Sequence, residues 1–159
     1  MLRTGGIWRD VEPGAIVGVL ETVVGRLPGA SPAVRQLLAQ RVRAPGGVIW
    51  APVGSGLALP HLRAPVALGR DSGVLAMLFL RQPLAMDDPA PDGEPVTRLL
   101  FFVAPSPRAH LELLARLSTA LHQGELRGRV LEAAPDEAIH AALAADEGEP
   151  AASREGTSE

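Results

Sequence analysis

Two histidines of this chain suggest that it carries a group on an imidazole. His61 follows Pro60 at the end of Gly54-Ser55-Gly56-Leu57-Ala58-Leu59, a glycine-rich turn that runs into a short apolar segment. His110 lies three residues after Pro107, just inside a stretch whose leucines at 111, 113, 114, 117 and 121 repeat with helical spacing. A neutral imidazole is a good nucleophile toward phosphorus, and its titration near neutral pH lets it accept and release a group with little driving force. Gly54 and Gly56 permit the tight turning that aims backbone N–H groups at an anion, and Pro60 stiffens the approach to His61. A single loop histidine is usually without a task; it is this setting that lifts His61 above that reading. The first turn of a helix disfavours an imidazolium, so His110 is expected to be neutral. His122 and His140 come late in helical stretches, where a histidine is locally favourable, and they receive no function.

Composition limits what the histidines could serve. The 159 residues carry 47% hydrophobic and 21% charged side chains, enough for one domain with a real core. Aromatics are 3%, there is no Tyr, net charge is -3 and no basic stripe stands out, so nucleic acid is a poor partner. With no Cys there are no disulfides, no thiolate chemistry and no Cys-based metal site. All 15 basic residues are Arg, so Schiff-base chemistry on lysine is excluded and any anion is held by a guanidinium fork. Apolar runs at 74–80 and 99–104 are too short to span a bilayer, and the N-terminus has no signal core. A cytoplasmic protein without membrane insertion is expected.

These histidines must be positioned by the elements around them. Residues 1–12 lack periodicity and read as an extended lead-in to a domain over 13–144. Ile16, Val19, Leu20, Val23, Val24 and Leu27 fall on one helical face, and Ser31-Pro32 opens a second helix with Val34, Leu37, Leu38 and Val42 inward. Pro45-Gly46-Gly47 stops it. Short extended pieces are expected at 48–51, 53–59 and 64–68, and buried strands at 74–80 and 97–103, separated by a surface loop over 81–95. Ser106-Pro107 caps a third helix, Leu126 to Leu131 forms a fourth, and Pro135-Asp136-Glu137 starts a fifth. Residues 145–159 are rich in Asp, Glu, Gly, Pro, Ser and Thr and read as a disordered tail. Two helices, several strands and three more helices imply an α/β fold, a single-domain three-layer α/β/α sandwich with a mixed central sheet.

Gly54-Ser55-Gly56-Leu57-Ala58-Leu59-Pro60-His61 resembles the active-site signature, roughly G-[ND]-G-[IV]-A-[IL]-P-H, of the enzyme IIA domains of the bacterial sugar phosphotransferase system, of fructose/mannitol and nitrogen-regulatory type. His110-Leu111-Glu112-Leu113-Leu114-Ala115-Arg116-Leu117 is similar to the family's second histidine and its helix, and the run from Leu126 through Ile139 to the family's end. The likeness covers about residues 10–144. It implies a phosphotransferase relay: the histidine phosphocarrier protein would pass a phosphoryl group to His61, which would hand it to a sugar-specific partner or keep it as a regulatory mark. It also implies that His110 contacts the phosphoryl oxygens, that basic side chains and the glycine turn help bind them (Arg63, Arg43, Gly54, Ser55 and Gly56), and that no metal or organic cofactor is required. The chain departs from the pattern just before the turn. Trp50-Ala51-Pro52 replaces the family's usual Ser-Thr-Gly, removing a hydroxyl and a backbone N–H. The family's helix-end arginine falls on Pro45 without gaps, or on Arg43 with a two-residue insertion. A module that kept the fold and lost efficient relay, acting through protein contacts, is the alternative. More weakly, Gly5-Gly6-Ile7-Trp8-Arg9-Asp10-Val11 resembles the joint by which some bacterial proteins place a helix-turn-helix module before such a domain; no such module fits in the residues ahead of it.

Overall fold

Alternation along two apolar strands organises the architecture. In the computed structural model, which describes residues 3–27, 29–64, 73–85, 92–123 and 125–148, strand β1 (Arg3–Val11) leads through a 3-10 turn at Pro13–Ala15 into α1 (Ile16–Gly25) and α2 (Pro32–Arg43). Four short strands follow: β2 (Val48–Ile49), β3 (Pro52–Gly54), β4 (Leu57–Ala58) and β5 (His61–Leu62). The long strands β6 (Val74–Leu84) and β7 (Val96–Val103) precede α3 (Pro107–His122), α4 (Glu125–Leu131) and α5 (Asp136–Gly148). Five strands form one sheet in the order β1-β6-β7-β4-β3, and β2 pairs with β5 separately. The sheet is mixed, as expected. β1–β6 and β4–β7 are parallel, whereas β6–β7 and β3–β4 are antiparallel.

The chain divides into two compact units, Met1–Ser118 and Thr119–Glu159. In the first, Val74, Ala76 and Leu78 of β6 and Leu99, Phe101 and Val103 of β7 point to one face, where they cluster with Ile16, Leu20, Val23 and Val24 of α1 and Leu38 and Val42 of α2. The period of two sends Leu75, Met77, Leu100 and Phe102 to the other face, where they are also buried. That face carries the start of α3, since Phe102 meets His110 there, which completes three layers. In the second unit α4 and α5 pack on one another, with Leu126, Val130, Ile139 and Ala142 buried.

Both expected caps form. Ser31 Oγ accepts the Val34 N–H at 3.2 Å and Ser106 Oγ the Ala109 N–H at 3.1 Å, each with proline following, an arrangement worth about 1 kcal/mol per helix. Three expectations are corrected. Residues 3–11 are not a lead-in but a sheet strand. Register breaks at Thr4/Ile7 and Trp8/Val11 erase the alternation that would have announced it. Arg81–Leu84, assigned to the loop, continue β6 to the pair Leu84–Val96 across another break. Arg81, Gln82 and Pro83 are exposed and Leu84 is half-buried, so no alternation marks the segment, and only pairing with the neighbouring strand reveals it. The last helix runs to Gly148, past the expected tail boundary at 145; residues 149–159, like 65–68 of the expected extended piece, lie outside the described residues.

Candidate active site

His61 is held by a backbone frame. It pairs with Ile49 across the β2–β5 ladder. On one side the Leu59 N–H donates to the Ala51 carbonyl at 3.0 Å, and on the other the Arg63 N–H donates to Gly47 at 2.9 Å. Pro60 lacks an N–H, but its carbonyl accepts from Phe102 of β7 at 3.4 Å. Gly47 is required by space: a Cβ there would fall 1.8 Å from the Arg41 carbonyl oxygen, so no other residue lets α2 turn this closely into β2. Ala51 sits at φ +36, a left-handed conformation that costs a non-glycine residue about 1 kcal/mol or more. It stands within the Trp50-Ala51-Pro52 departure and holds the Leu59 N–H all the same.

The structure brings His61 and His110 together. Their ring centroids are 5.1 Å apart, edge to face at 64°. Phe102 completes a triangle, 5.7 Å from His61 and 5.2 Å from His110. Only 6% of His61 and 7% of His110 is exposed, the two polar residues buried among the described ones. His61 Nδ1 lies 2.8 Å from the Leu59 carbonyl oxygen. A carbonyl only accepts, so Nδ1 carries the proton and the lone pair is on Nε2. The sequence placed Phe102 in a buried strand and missed its role, and it had no signal for the Leu59 carbonyl. Both depend on the register of β7 beside the Pro-His segment.

Burial pushes the His61 pKa down, partly opposed by the bond to Leu59, and burial followed by the neighbouring His61 pushes His110 down. Both rings are therefore neutral at pH 7. With both folded values below the ordinary 6.5, the unfolded chain takes up protons that the folded protein resists as pH falls through that value. Stability is thus complete above it and declines below, until the folded values are reached. The imidazole Hε1 resonances of His61 and His110 should titrate with midpoints under 6.5, and the thermal midpoint should drop between pH 7.5 and 5.5. A midpoint at or above 6.5 for His61 would contradict this account of its burial.

The other expected phosphoryl-binding residues make contacts of their own within the chain. The turn Gly54-Ser55-Gly56 holds three successive left-handed residues, at φ +94, +56 and +77. The Ser55 N–H donates to Asp92 Oδ2 at 2.7 Å, and the Ser55 and Glu94 amides hold the Asp92 pKa down. Gly56 accepts from Thr97 and Arg98, whereas Pro60 meets Phe102. Four residues of β7 separate those contacts, about 13 Å at strand rise. The turn thus anchors β3 and β4 to β7, and its amide serves a carboxylate of the chain itself. Arg63 Nε donates to the Gly46 carbonyl. Arg43 closes α2 and reaches Glu21 of α1, at 3.7 Å. Among the described residues no group of three or more His, Asp or Glu side chains could hold a metal ion, and no helix is long and apolar enough to cross a membrane.

The mixed sheet and its helices have the fold of solved phosphotransferase IIA proteins. The nitrogen regulatory protein IIA-Ntr of Neisseria meningitidis superposes with a TM-score of 0.52 at 22% identity, over 80% of this chain and 84% of that one. A chain assigned as PTS IIA(PtxA) from Streptococcus mutans gives 0.53 at 17% identity, over 91% and 90%. The profile of the phosphoenolpyruvate-dependent sugar phosphotransferase system, EIIA 2, matches residues 29–146, and the chain belongs to that family. It is 36% identical over 90 residues to the fructose-specific EIIABC component of Bacillus subtilis (strain 168), covering 55% of this chain and 13% of that protein's length.

Proposed function

We propose that His61 accepts a phosphoryl group from the histidine phosphocarrier protein and passes it on, or retains it as a regulatory mark, in the cytoplasm. The observation that carries this reading is the neutral, tautomer-fixed imidazole of His61 packed against a second neutral imidazole. The His61 Nε2 lone pair attacks phosphorus. The new P–N bond forms as the P–N bond to the donor histidine breaks, and the donor ring leaves with the electron pair. The His61 proton stays on Nδ1, where the Leu59 carbonyl stabilises the positive charge that the ring acquires. His110 donates to a phosphoryl oxygen from beside the ring, and the low pKa of both rings keeps Nε2 available as a nucleophile. Incubation with phosphoenolpyruvate, the first enzyme of the relay and its phosphocarrier should leave acid-labile phosphate on the chain.

If His110 stabilises transferred charge, His110→Ala should slow onward transfer by about 10²–10³-fold, the usual consequence of deleting one preorganised donor. His110→Gln, which keeps an N–H, should recover part of that rate at similar thermal stability. Equal transfer rates in both variants would remove His110 from the mechanism.

A regulatory module impaired in relay is the second reading. It is favoured by the engagement of Arg43 with Glu21 and of Arg63 with the Gly46 carbonyl, and by the hydroxyl missing at Trp50-Ala51-Pro52. Failure of the wild-type chain to label would decide for it.

A further inference from the structure

Gly5-Gly6-Ile7-Trp8 is not used by the histidine chemistry and precedes the residues matched by the family profile. It walls a separate cavity of about 410 Å³ between β1, the end of α1 and the start of β6. We propose that this cavity binds a small molecule with a flat apolar body and one anionic group, of the class of aromatic carboxylates.

The volume falls in the lower part of the range for small-molecule pockets. Its flat wall is Trp8, whose indole N–H donates to the Gly5 carbonyl at 2.9 Å. That bond fixes the ring and satisfies its one polar atom, so the ring offers the cavity apolar carbon. The floor is Val23 and Val74, buried to 3% and 2% exposure. Gly5 lets β1 lie this close to α1, because a Cβ would come to 3.0 Å of Ala76, Val23 and Val74 at once. The rim carries one charged lining residue, Arg26, which follows the last turn of α1 and is exposed. Among the described residues no carboxylate pairs with it. The negative pole of α1 is at this same end and disfavours an anion, so the guanidinium itself must supply the attraction, and its planar fork matches a carboxylate. An apolar wall, an apolar floor and one cation at the mouth select charge and flatness together.

The test uses 4-chlorobenzoate titrated into the full chain carrying Trp50→Phe, read by Trp8 fluorescence and by calorimetry. One saturable site with a Kd on the order of 1 mM is expected for so small a ligand. Arg26→Gln should weaken binding about tenfold or more while leaving the thermal midpoint unchanged, and neutral 4-chlorobenzyl alcohol should bind correspondingly more weakly than the acid. His61→Ala should bind as the parent does, so loss of relay and loss of this site are separable. Absence of saturable binding overturns the proposal. So does equal affinity for the acid and the alcohol, or an unchanged Kd in Arg26→Gln, since either makes the cavity a plain apolar recess.

Discussion

Replacing His61 by alanine should abolish phosphoryl acceptance, a loss of at least about 10³-fold in labelling rate, because the proposed acceptor is the Nε2 of this ring. The large figure follows from the frame. Nδ1 is engaged by Leu59, the ladder to Ile49 fixes the backbone, and the rings of His110 and Phe102 fix the plane. One nitrogen is left with a lone pair, and the substitution deletes it. The assay is transfer from phosphoenolpyruvate through the first enzyme and its phosphocarrier, followed by acid lability of the product. His110→Ala is the matched control, for it should still become labelled. Label on His61→Ala near the wild-type level would place the acceptor elsewhere, and an unlabelled wild type would end the relay reading altogether.

Phe102→Ala should cost about 3–5 kcal/mol of stability, the largest effect expected of any single truncation near the site. The ring is fully buried at 0% exposure, lies on the sheet face that carries the start of α3, and touches both histidines. Its loss opens a cavity directly beneath the imidazoles. At roughly 2–4 °C per kcal/mol for a chain of this size, the midpoint should fall by on the order of 10 °C. Phe102→Leu, which refills most of the space, should cost far less and keep both histidine pKa values low. Phe102→Ala should raise them toward 6.5 as water enters. Denaturant unfolding and the histidine titrations read the two effects separately. A cost under about 1 kcal/mol would mean that the imidazoles do not rest on this ring.

The fold was readable from local chemistry wherever one side of an element is dry. The spacing of Ile16, Leu20, Val23 and Val24 marked α1, and serine-proline pairs marked the starts of α2 and α3. Continuous apolar runs marked most of β6 and β7. Reading failed where pattern and pairing part company. In β1 two register breaks fall within nine residues, and no periodicity survives them. At Arg81–Leu84 the strand exists because β7 lies beside it, while its own side chains look like a loop. The glycine turn shows a further limit. Its residues have the conformational freedom to cradle an anion, but only the parallel register of β4 on β7 locates that turn about four strand residues from the imidazole, with Asp92 on its amide.

By itself the sequence singled out His61 and His110 as the residues proposed for the chemistry. For His61 the signal is local, the glycine turn and Pro60 just before it; His110, which by its spacing alone reads as a solvent-facing histidine of a first helical turn, stands out only through its joint match with His61 to the family signature. The tertiary structure decided everything that depends on residues distant in the chain. It set the 5.1 Å between the rings of His61 and His110, 49 positions apart in sequence. It also set the burial that lowers both pKa values and the ring of Phe102 beneath them. The physical reason is that distance, desolvation and strand register arise from packing between segments, which no local pattern encodes. Even the choice of Nε2 over Nδ1, though fixed by a carbonyl only two residues from His61, waits on the strand pairing that turns Leu59 toward the ring.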